Sequence, residues 1–568
     1  MGASTAADRP VIVQNDHTIL LETGGPVYEE ARDALVPFAE LVKAPEYVHT
    51  YRLTSLSLWN AASAGHTADE VLAALERLSR FPVPANVIDA IKTHMARYGK
   101  LRLTRAGDGA LLLSAHESEP LALDEAWAHA PVQTFVAERR PGALVIREDA
   151  RGRLKQELTT LGWPVEDLAG YQEGARLEVA LREVTQDGAP FRPRDYQRKA
   201  VEAFYKGGQS GGGSGVVVLP CGAGKTIVGL AALATVGQQT LIVCTSDMAV
   251  RQWERELIDK TTLAPLDVCE LTGKRKELGP VTLTTYQLLT HRKSKQVEAY
   301  PAMDLVRAHP WGLIVYDEVH LLPAPVFRMA CEVQAVRRLG LTATLVREDG
   351  RASDVFSLIG PKRYDVPWKV LEQKGWIAQA ACTEVRVPMS DALRRDYALA
   401  PQREKFRVAA ASAAKLDVLF ALLARHRAEP TLVIGTYLEQ LEAVAQLTGA
   451  PQITGKTPAK ERERLCALFR AGQLNLLLLS SVGNYSLDLP EASVLIQVSG
   501  LFGSRQEEAQ RLGRVLRPKE DGRAAAFYTL VTEGTTETDF AMNRQRFLTE
   551  QGYRYAIVDA AAVLEGGA

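Results

Sequence analysis

The stretch GVVVLPCGAGKTIVGLAALATV (215–236) decides the fold of this chain. It begins with Val216–Val218, an uninterrupted apolar run typical of strands that are buried on both faces. The glycine-rich LPCGAGKT (219–226) follows at once, and the residues after it are typical of a helix. A strand, a glycine-rich loop and a helix in this order indicate a P-loop that holds nucleotide phosphates.

The loop departs from the usual GxxxxGK[ST] pattern, because Leu219 stands where the first glycine is expected. That departure matters only if the chain must bend sharply there, since later glycines still free the main chain beside the phosphates. We expect the helix N-terminus to hold the β-phosphate of ATP, Lys225 to reach the γ-phosphate and Thr226 to bind Mg²⁺. The predicted ATP-binding residues of the loop are Leu219, Pro220, Cys221, Gly222, Ala223, Gly224, Lys225 and Thr226.

Continuous apolar runs of the same kind recur along the chain, separated by helix-length spacers. Such runs predict strands buried on both faces, and the spacers predict βαβ crossovers and therefore parallel sheets. The runs form two sets with a joint somewhere in 365–430, so we predict two doubly wound domains. After 215–220, the first set is QTLIVCT (239–245), VTLTTY (281–286), GLIVYDE (312–318) and RLGLTAT (338–344), and the second is TLVIGT (431–436), LNLLLLSS (474–481), ASVLIQVS (492–499) and AAAFYTLV (524–531).

The first ~190 residues have a different pattern. Thr67 followed by Glu70 predicts a capping box that begins an amphipathic helix, and 87–98 predicts another helix. LRLTRAGDGALLLS (101–114) predicts a hairpin. We expect small mixed accessory modules here, and their residues alone indicate no chemistry.

Two carboxylates, Asp317 and Glu318, end the run GLIVY, which places them at the edge of the sheet where α/β proteins bind ligands. Asp317 is suited to coordinate Mg²⁺ through water, and Glu318 to polarise the attacking water. His320 follows two residues later and would couple this site to the neighbouring loop of the sheet, although a packing role fits its position equally well.

Three arginines lie three residues apart in QRLGRVLRP (510–518), so on a helix they share one face. Across an interdomain cleft, Arg514 and Arg517 would act as arginine fingers, an effect on the order of 10³–10⁵ in rate. Upstream, RPRDYQ (192–197) contains Gln197, whose amide can pair with both N6 and N7 of adenine. The predicted catalytic residues are therefore Lys225, Thr226, Asp317, Glu318, His320, Arg514 and Arg517, with Thr226 and Asp317 as the metal ligands.

Composition sets broad limits on the function. The chain has 568 residues, 46% hydrophobic and 24% charged, which is typical of a globular protein of several domains. A net charge of −1 excludes a global basic field, although a local groove can still be basic. No apolar run approaches the ~18 residues of a membrane span, and no secretory signal pattern begins the chain, so we expect a cytoplasmic protein.

Six motifs, taken in order, resemble those of superfamily 2 helicases: Arg194–Gln197, LPCGAGKT, DEVH (317–320), TAT (342–344), SLDLP (486–490) and QRLGRVLR (510–517). More narrowly, the chain resembles the XPB branch of repair and transcription helicases in its short bacterial and archaeal form. The stretches that carry this resemblance include YDEVHLLPAPVFR (316–328), LGLTATLVRED (339–349), SLDLPEASVLIQVSG (486–500) and SRQEEAQRLGRVLRPK (504–519).

The resemblance implies an α/β fold with two tandem RecA-like parallel-sheet motor domains preceded by small mixed α/β accessory domains. The implied divisions are 1–98 for a helical accessory domain, 99–190 for a damage-recognition-like one, 191–378 for motor domain 1, and 379–568 for motor domain 2 with a C-terminal helical tail. The implied function is an ATP-dependent 3′–5′ DNA helicase or duplex translocase in DNA repair. ATP and Mg²⁺ are the implied cofactors, and DNA and an endonuclease are the implied partners.

In the XPB family an Arg-Glu-Asp element after the TAT motif is implicated in DNA unwinding, and 347–349 stands at that place here. Arg347 would meet a phosphate or a displaced base, while the two acids would repel the backbone and help to part the strands. A charged, solvent-exposed turn is the alternative. The resemblance also adds Arg194, Asp488 and Gln510 to the ATP-binding set.

Hydroxyl groups, main-chain amides and a few bases follow the predicted strands, and such groups suit phosphate contact without reading sequence. The predicted DNA-binding residues are Thr245, Arg251, Gln252, Trp253, Gly273, Thr285, Tyr286, Arg347, Glu348, Asp349, Thr436, Gly455, Lys456 and Ser480. Two other functions stay open at this point. One is an RNA helicase of the DEAD type, against which DEVH argues, and the other is an ATP-gated clamp or loader that recruits a nuclease without unwinding.

Overall fold

The computed structural model divides into two compact units. The first consists of Met1–Leu219 and Gly224–Val366, and the second consists of Pro220–Ala223 and Pro367–Ala568. The residues that it describes are 9–45, 47–169, 174–208, 212–220, 222–292, 300–321, 330, 333, 335–343, 355, 358–377, 379–480, 492–499, 525–550 and 552–565. A bilayer-spanning helix, which needs about 20 apolar residues, is absent from these ranges.

The first unit begins with a four-stranded antiparallel sheet in the order β1-β2-β4-β3. The predicted capping box is confirmed, because Thr67 Oγ1 accepts from the Glu70 N–H and the Glu70 carboxylate accepts from the Thr67 N–H. The apolar face of the helix that follows is buried, as its 3.6-residue period predicts. The elements are β1 (Val11–Val13), β2 (Thr18–Glu22), β3 (Glu40–Lys43) and β4 (Val48–Arg52), with helices Tyr28–Leu35, Ser55–Ser63, Ala68–Leu78 and Ala85–Arg97.

A five-stranded sheet in the order β7-β8-β6-β5-β9 follows. The predicted hairpin is confirmed as β5 and β6, which are joined by a turn where Gly109 has a φ of +83°. Alternate leucines of both strands are buried in one core. The elements are β5 (Leu101–Arg105), β6 (Leu111–Ala115), β7 (Val136–Arg140), β8 (Ala143–Ile146) and β9 (Val165–Asp167), with helices Leu121–Ala128, Ala130–Gln133 and Arg151–Thr160.

A seven-stranded parallel sheet completes the first unit, in the order β12-β13-β11-β14-β15-β10-β16. All five predicted strands are present, and their apolar residues form the core. The two edge strands, β12 and β16, were not predicted, because their half-buried residues include charged ones. The elements are β10 (Ser214–Val218), β11 (Thr240–Cys244), β12 (Val268–Leu271), β13 (Val281–Thr285), β14 (Leu313–Asp317), β15 (Arg337–Thr342) and β16 (Lys362–Asp365), with helices Asp195–Tyr205, Lys225–Val236, Asp247–Lys260, Tyr286–Leu289 and Pro301–Arg307.

The second unit contains another seven-stranded parallel sheet, in the order β19-β20-β18-β21-β22-β17-β23. The α/β fold class with two parallel sheets is therefore confirmed. The C-terminal segment, for which a helical tail is predicted, contains the helices Thr536–Glu550 and Ala560–Leu564 and also β23, which pairs with β17 at the sheet edge. The elements are β17 (Ala380–Val387), β18 (Thr431–Gly435), β19 (Gln452–Ile453), β20 (Leu476–Ser480), β21 (Val494–Gln497), β22 (Ala525–Thr532) and β23 (Arg554–Asp559), with helices Trp368–Gln373, Asp391–Leu399, Gln402–Ala410, Ala414–Arg425, Leu438–Thr448, Ala459–Arg470, Thr536–Glu550 and Ala560–Leu564.

Candidate nucleotide site and nucleic-acid interface

The glycine-rich loop leaves the C-terminal end of β10 without an early bend. The Leu219 N–H donates to the Thr342 carbonyl at 3.0 Å, which continues the pairing of β10 with β15, and the Leu219 side chain is buried. Left-handed main-chain conformations occur only later, at Gly222 (φ 80°) and Gly224 (φ 73°). A leucine therefore fits the first position of the loop, because no glycine conformation is needed there.

Gln197 packs against this loop and has little exposed surface. Its Oε1 accepts from the Arg194 N–H at 2.8 Å, which caps the helix Asp195–Tyr205, and its Nε2 lies 3.4 Å from the Gly224 carbonyl. A Cβ at Gly224 would lie only 2.7 Å from Gln197 Nε2, so a side chain there would require a shift of one residue or the other. Gln197 thus supports the loop, while its predicted pairing with adenine stays a prediction.

Lys225 and Glu318 form an ion pair at the sheet edge, with 3.1 Å between Nζ and Oε1. The two side chains are 13% and 19% exposed, so the pair is enclosed but reachable. Glu318 has a φ of +49°, a conformation that costs a non-glycine residue on the order of 1–3 kcal/mol. Such strain is common at functional sites. In this conformation the Glu318 side chain lies opposite Lys225, the first residue of the helix Lys225–Val236.

The pKa values of the neighbouring acids Asp317 and Glu318 are shifted in opposite directions. Burial and the charge of Glu318 raise the pKa of Asp317. Burial alone would also raise the pKa of Glu318, but Lys225 and His320 outweigh it and lower that pKa. Hydroxyl and carboxylate oxygens of Thr226 and Asp317 are the ligand types that Mg²⁺ prefers. Together with an ammonium group and a helix N-terminus, they fit a magnesium-bound nucleotide.

His320 lies in the short 3₁₀ turn Val319–Leu321 and is almost fully buried. Its Nδ1 hydrogen-bonds to Thr342 Oγ1 at 3.0 Å and lies 3.3 Å from Glu318 Oε2. The histidine therefore joins the acid after β14 to the last residue of β15. Its predicted coupling of the site to the neighbouring loop stays a prediction. Thr342 itself was not among the predicted site residues, although it begins the TAT motif and so could have been found.

Trp253 and Tyr286 are not placed as DNA contacts, contrary to the prediction. Both side chains are at least 98% buried. Trp253 Nε1 donates to Asp317 Oδ2 at 3.2 Å, and the Tyr286 hydroxyl donates to the Asp317 main-chain carbonyl at 2.8 Å. Both rings and their polar atoms are buried inside the protein. They contact Asp317 of the candidate nucleotide site instead of presenting a surface to DNA.

Three other candidate DNA contacts of the first unit lie at the C-terminal ends of strands. Thr245 follows β11, Gly273 follows β12 and Thr285 ends β13, and these three strands are neighbours in the sheet. Arg251 and Gln252 are half-buried on the helix Asp247–Lys260, and Gly273 is exposed. Thr285 is buried, and its hydroxyl caps the helix that follows by accepting from the Leu288 N–H.

In the second unit, the ends of β18, β19 and β20 carry four more candidates. Gly455 and Lys456 are exposed in the turn after β19. Thr436 is half-buried, and its N–H donates to Ser499 Oγ at 2.7 Å. Ser480 is buried at the end of β20. Gly455 and Lys456 therefore offer the most accessible surface of this group.

Three family profiles match the chain. The profile described as ERCC3/RAD25/XPB C-terminal helicase matches residues 371–566, and the type III restriction enzyme, res subunit, matches 190–347. A profile described as helicase conserved C-terminal domain matches 11–140. A protein of Kineococcus radiotolerans named DNA 3′-5′ helicase XPB is 52% identical over 561 residues, covering 99% of this chain and 98% of that protein. This chain belongs to the XPB family.

A more distant XPB-family relative is the Saccharomyces cerevisiae general transcription and DNA repair factor IIH helicase/translocase subunit XPB/SSL2. It is 32% identical over 617 residues, which cover 97% of this chain and 72% of the yeast protein. Among solved structures, S. cerevisiae Dbp5 bound to RNA and ADP BeF3 has a TM-score of 0.48 and 13% identity, covering 66% of this chain and 92% of that one. The fold of the XPB-family chain is assigned from its own sheet topology.

Some predicted site residues of this XPB-family chain lie outside the described residues. They are Cys221, Arg347, Glu348, Asp349, Asp488, Gln510, Arg514 and Arg517. One further signal was missed in the sequence. Gly229 lies inside the helix after the P-loop, and a glycine inside a helix often marks a close approach of another residue to the main chain. A Cβ there would lie 2.4 Å from the Trp253 ring.

Proposed function

We propose that this XPB-family protein is an ATP-dependent 3′–5′ DNA helicase or duplex translocase that acts in DNA repair. The observation that carries the proposal is the ion pair of Lys225 and Glu318 beside Asp317, at the C-terminal edge of the first of two parallel sheets. A P-loop lysine and a strand-end acid at this edge are the two halves of a nucleotide-hydrolysing site. The names of the bacterial and yeast relatives support DNA as the substrate and the polarity.

The geometry supports a distinct task for each group. MgATP, when bound, supplies the phosphoryl group and a divalent charge that neutralises its oxygens. Thr226 and Asp317 would hold the metal. Lys225 would exchange its contact with Glu318 for phosphate oxygens, and Glu318 would then orient a water molecule and take its proton. His320, which contacts both Glu318 and Thr342, would keep Glu318 connected to β15 during this exchange.

The remaining assignments stand as proposals from the family pattern. Arg514 and Arg517 would supply positive charge to the phosphates, Asp488 and Gln510 would contribute to ATP binding, and 347–349 would part the strands. The divisions 1–98, 99–190, 191–378 and 379–568 belong to the same proposal, as do a damage-recognition role for 99–190, a cytoplasmic location and an endonuclease partner.

Steady-state ATPase assays test the motor function. ATP hydrolysis is measured with no nucleic acid, with single-stranded DNA, with duplex DNA and with RNA, and Lys225→Ala is the control. Strong stimulation by DNA that is lost in the variant is the expected result. Stimulation by RNA alone would point to an RNA helicase instead.

A strand-displacement assay separates the helicase from the clamp. Partial duplexes with a 3′ tail or a 5′ tail are compared at saturating ATP, and displacement from the 3′-tailed substrate is expected. Tight ATP-dependent DNA binding with slow turnover and no displacement from either substrate would favour an ATP-gated clamp that recruits a nuclease.

A further inference from the structure

One indole ring spans the two halves of the nucleotide site. Trp253 lies on the buried face of the helix Asp247–Lys260 and is 2% exposed. Its Nε1 reaches Asp317 Oδ2 at 3.2 Å. On the P-loop helix, a Cβ added to Gly229 would lie 2.4 Å from the far end of the same ring. The ring therefore fills the space between the helix that begins at the P-loop lysine and the acid that would hold the metal.

A second aromatic residue holds the main chain of the same acid. The Tyr286 hydroxyl donates to the Asp317 carbonyl at 2.8 Å, and the ring is 1% exposed. Tyr286 directly follows β13, and Trp253 belongs to the helix that follows β11. The strands β13, β11 and β14 are consecutive neighbours in the sheet. Two elements on the same side of β14 therefore contact Asp317.

These contacts fix the direction of the carboxylate. Oδ2 accepts from the indole, while Oδ1 accepts from the Glu318 N–H at 3.1 Å. Both donors are neutral and rigid, so they orient the carboxylate without cancelling its charge. Groups that orient a metal ligand in this way typically change metal affinity or activity by about 10–100-fold when they are removed.

The same elements carry half-buried candidates for DNA contact. Arg251 and Gln252 precede Trp253 on its helix, and Thr245 lies just before that helix begins. If DNA binding displaced this helix, the indole would move with it, because the ring packs directly against Gly229. The contact with Asp317 would then change with it.

We propose that Trp253 and Tyr286 are positioning residues that orient Asp317 toward the magnesium ion of the nucleotide and link it to the DNA-facing end of β11 and β13. This inference rests on the proposed motor function, but its first half concerns nucleotide binding alone. It also explains why two aromatic residues beside the candidate DNA contacts are buried.

The test compares Trp253→Phe and Tyr286→Phe with two matched controls. Trp311→Phe and Tyr316→Phe remove the same donors from buried residues of the same unit, where they donate to the Val306 and Ala330 carbonyls. Thermal melting first establishes that all four variants fold.

Three quantities are then measured for the full chain. The first is the Mg²⁺ concentration for half-maximal binding of fluorescently labelled ADP, the second is the affinity for labelled single-stranded DNA without nucleotide, and the third is the ATPase rate with and without DNA. For Trp253→Phe we expect the half-maximal Mg²⁺ concentration to rise about tenfold and the DNA-stimulated rate to fall by at least as much. The DNA affinity should stay within about twofold of the wild type, because the Trp253 side chain is 2% exposed. Tyr286→Phe should show the same pattern with a smaller effect, and the controls should match the wild type.

Each contrary result has a separate meaning. An unchanged Mg²⁺ dependence in Trp253→Phe overturns the positioning role. A large loss of DNA affinity with normal Mg²⁺ dependence also overturns it and assigns Trp253 to DNA contact. If the wild type itself shows no stimulation by DNA, the proposed motor function and the link to DNA both fail, while the Mg²⁺ measurement still decides the positioning role.

Discussion

Each of the two parallel sheets has a lysine–glutamate ion pair at its C-terminal edge, and the two pairs differ in burial. In the first unit Lys225 and Glu318 are 13% and 19% exposed, and in the second unit Lys415 and Glu537 are 0% and 4% exposed. The chemistry of the groups is the same. Solvent therefore reaches the pair of the first unit, whereas the pair of the second unit is buried.

The hydrogen bonds around the second pair complete this contrast. Lys415 Nζ lies 2.6 Å and 2.8 Å from the two Glu537 carboxylate oxygens and donates to the Val498 carbonyl at 3.1 Å, and Glu537 also accepts from the Thr532 N–H. Burial lowers the pKa of Lys415, although Glu537 opposes it. This pair joins the ends of β21 and β22 to the helix Ala414–Arg425, so it is a structural crosslink. By contrast, Glu318 next to Lys225 is held in a strained conformation, which is typical of a working site.

Of the predicted substitutions, Lys225→Ala should have the largest effect on ATP hydrolysis and should affect stability little. We expect the DNA-stimulated ATPase rate to fall by at least about 10²–10³-fold, because the charge that meets the phosphates is lost. The melting temperature should change by only about 2 °C, because the partner acid is reached by solvent. Steady-state ATPase assays and thermal melts check both outcomes, and an unfolded variant would show that the pair is structural after all.

Lys415→Met should produce the opposite profile. Removing the lysine leaves the buried Glu537 carboxylate without the ammonium group that contacts it, which costs about 3–5 kcal/mol. Urea denaturation should detect this loss, and the double variant Lys415→Met/Glu537→Gln should recover part of it, because a neutral amide tolerates burial better. A single variant as stable as the wild type would contradict the structural role.

Two glycines extend the comparison to the main chain. Gly224 (φ 73°) and Gly449 (φ 69°) share a left-handed conformation, which costs an alanine about 1–2 kcal/mol. A Cβ at Gly449 would meet nothing within 4 Å, whereas one at Gly224 would lie 2.7 Å from Gln197 Nε2. We therefore expect Gly449→Ala to lower stability alone, and Gly224→Ala also to weaken nucleotide binding by about tenfold or more. Equal nucleotide affinities in titrations with labelled ADP would argue against a precise loop conformation.

Thr342→Val should have the smallest effect. It removes the hydroxyl that binds His320, a loss of about 0.5–1.5 kcal/mol, so kcat should fall by less than about tenfold. Thr284→Val in the same sheet is the matched control, because the buried Thr284 hydroxyl makes no hydrogen bond within the described part of the chain. Identical rates for the two variants would show that the link from His320 to β15 does not contribute to catalysis.

The core strands of both sheets were predictable, and several outer strands were not. β11 and β18 each have a run of apolar residues after a first threonine, and every residue of both is buried, because a parallel strand inside a sheet is covered on both faces. β23 is mostly exposed and β19 has two residues, so neither shows a hydrophobic period. β17 contains a fully buried charge, Glu384, which pairs with Arg386 of the same strand and accepts a hydrogen bond from the Tyr555 hydroxyl of β23. The Tyr555 contact joins residues far apart in the chain, so no local pattern indicates it.

The sequence by itself determined the parallel-sheet architecture, the P-loop and the position of Asp317 and Glu318 at a strand end, because each depends on neighbours in the chain. Only the tertiary structure decided which residues these acids contact. Trp253 lies 64 residues before Asp317, and Tyr286 lies 31 before it. A buried aromatic residue and a DNA-facing one look alike in a sequence, because exposure depends on what the fold packs against the ring, and here that is Gly229 and an acid from another strand.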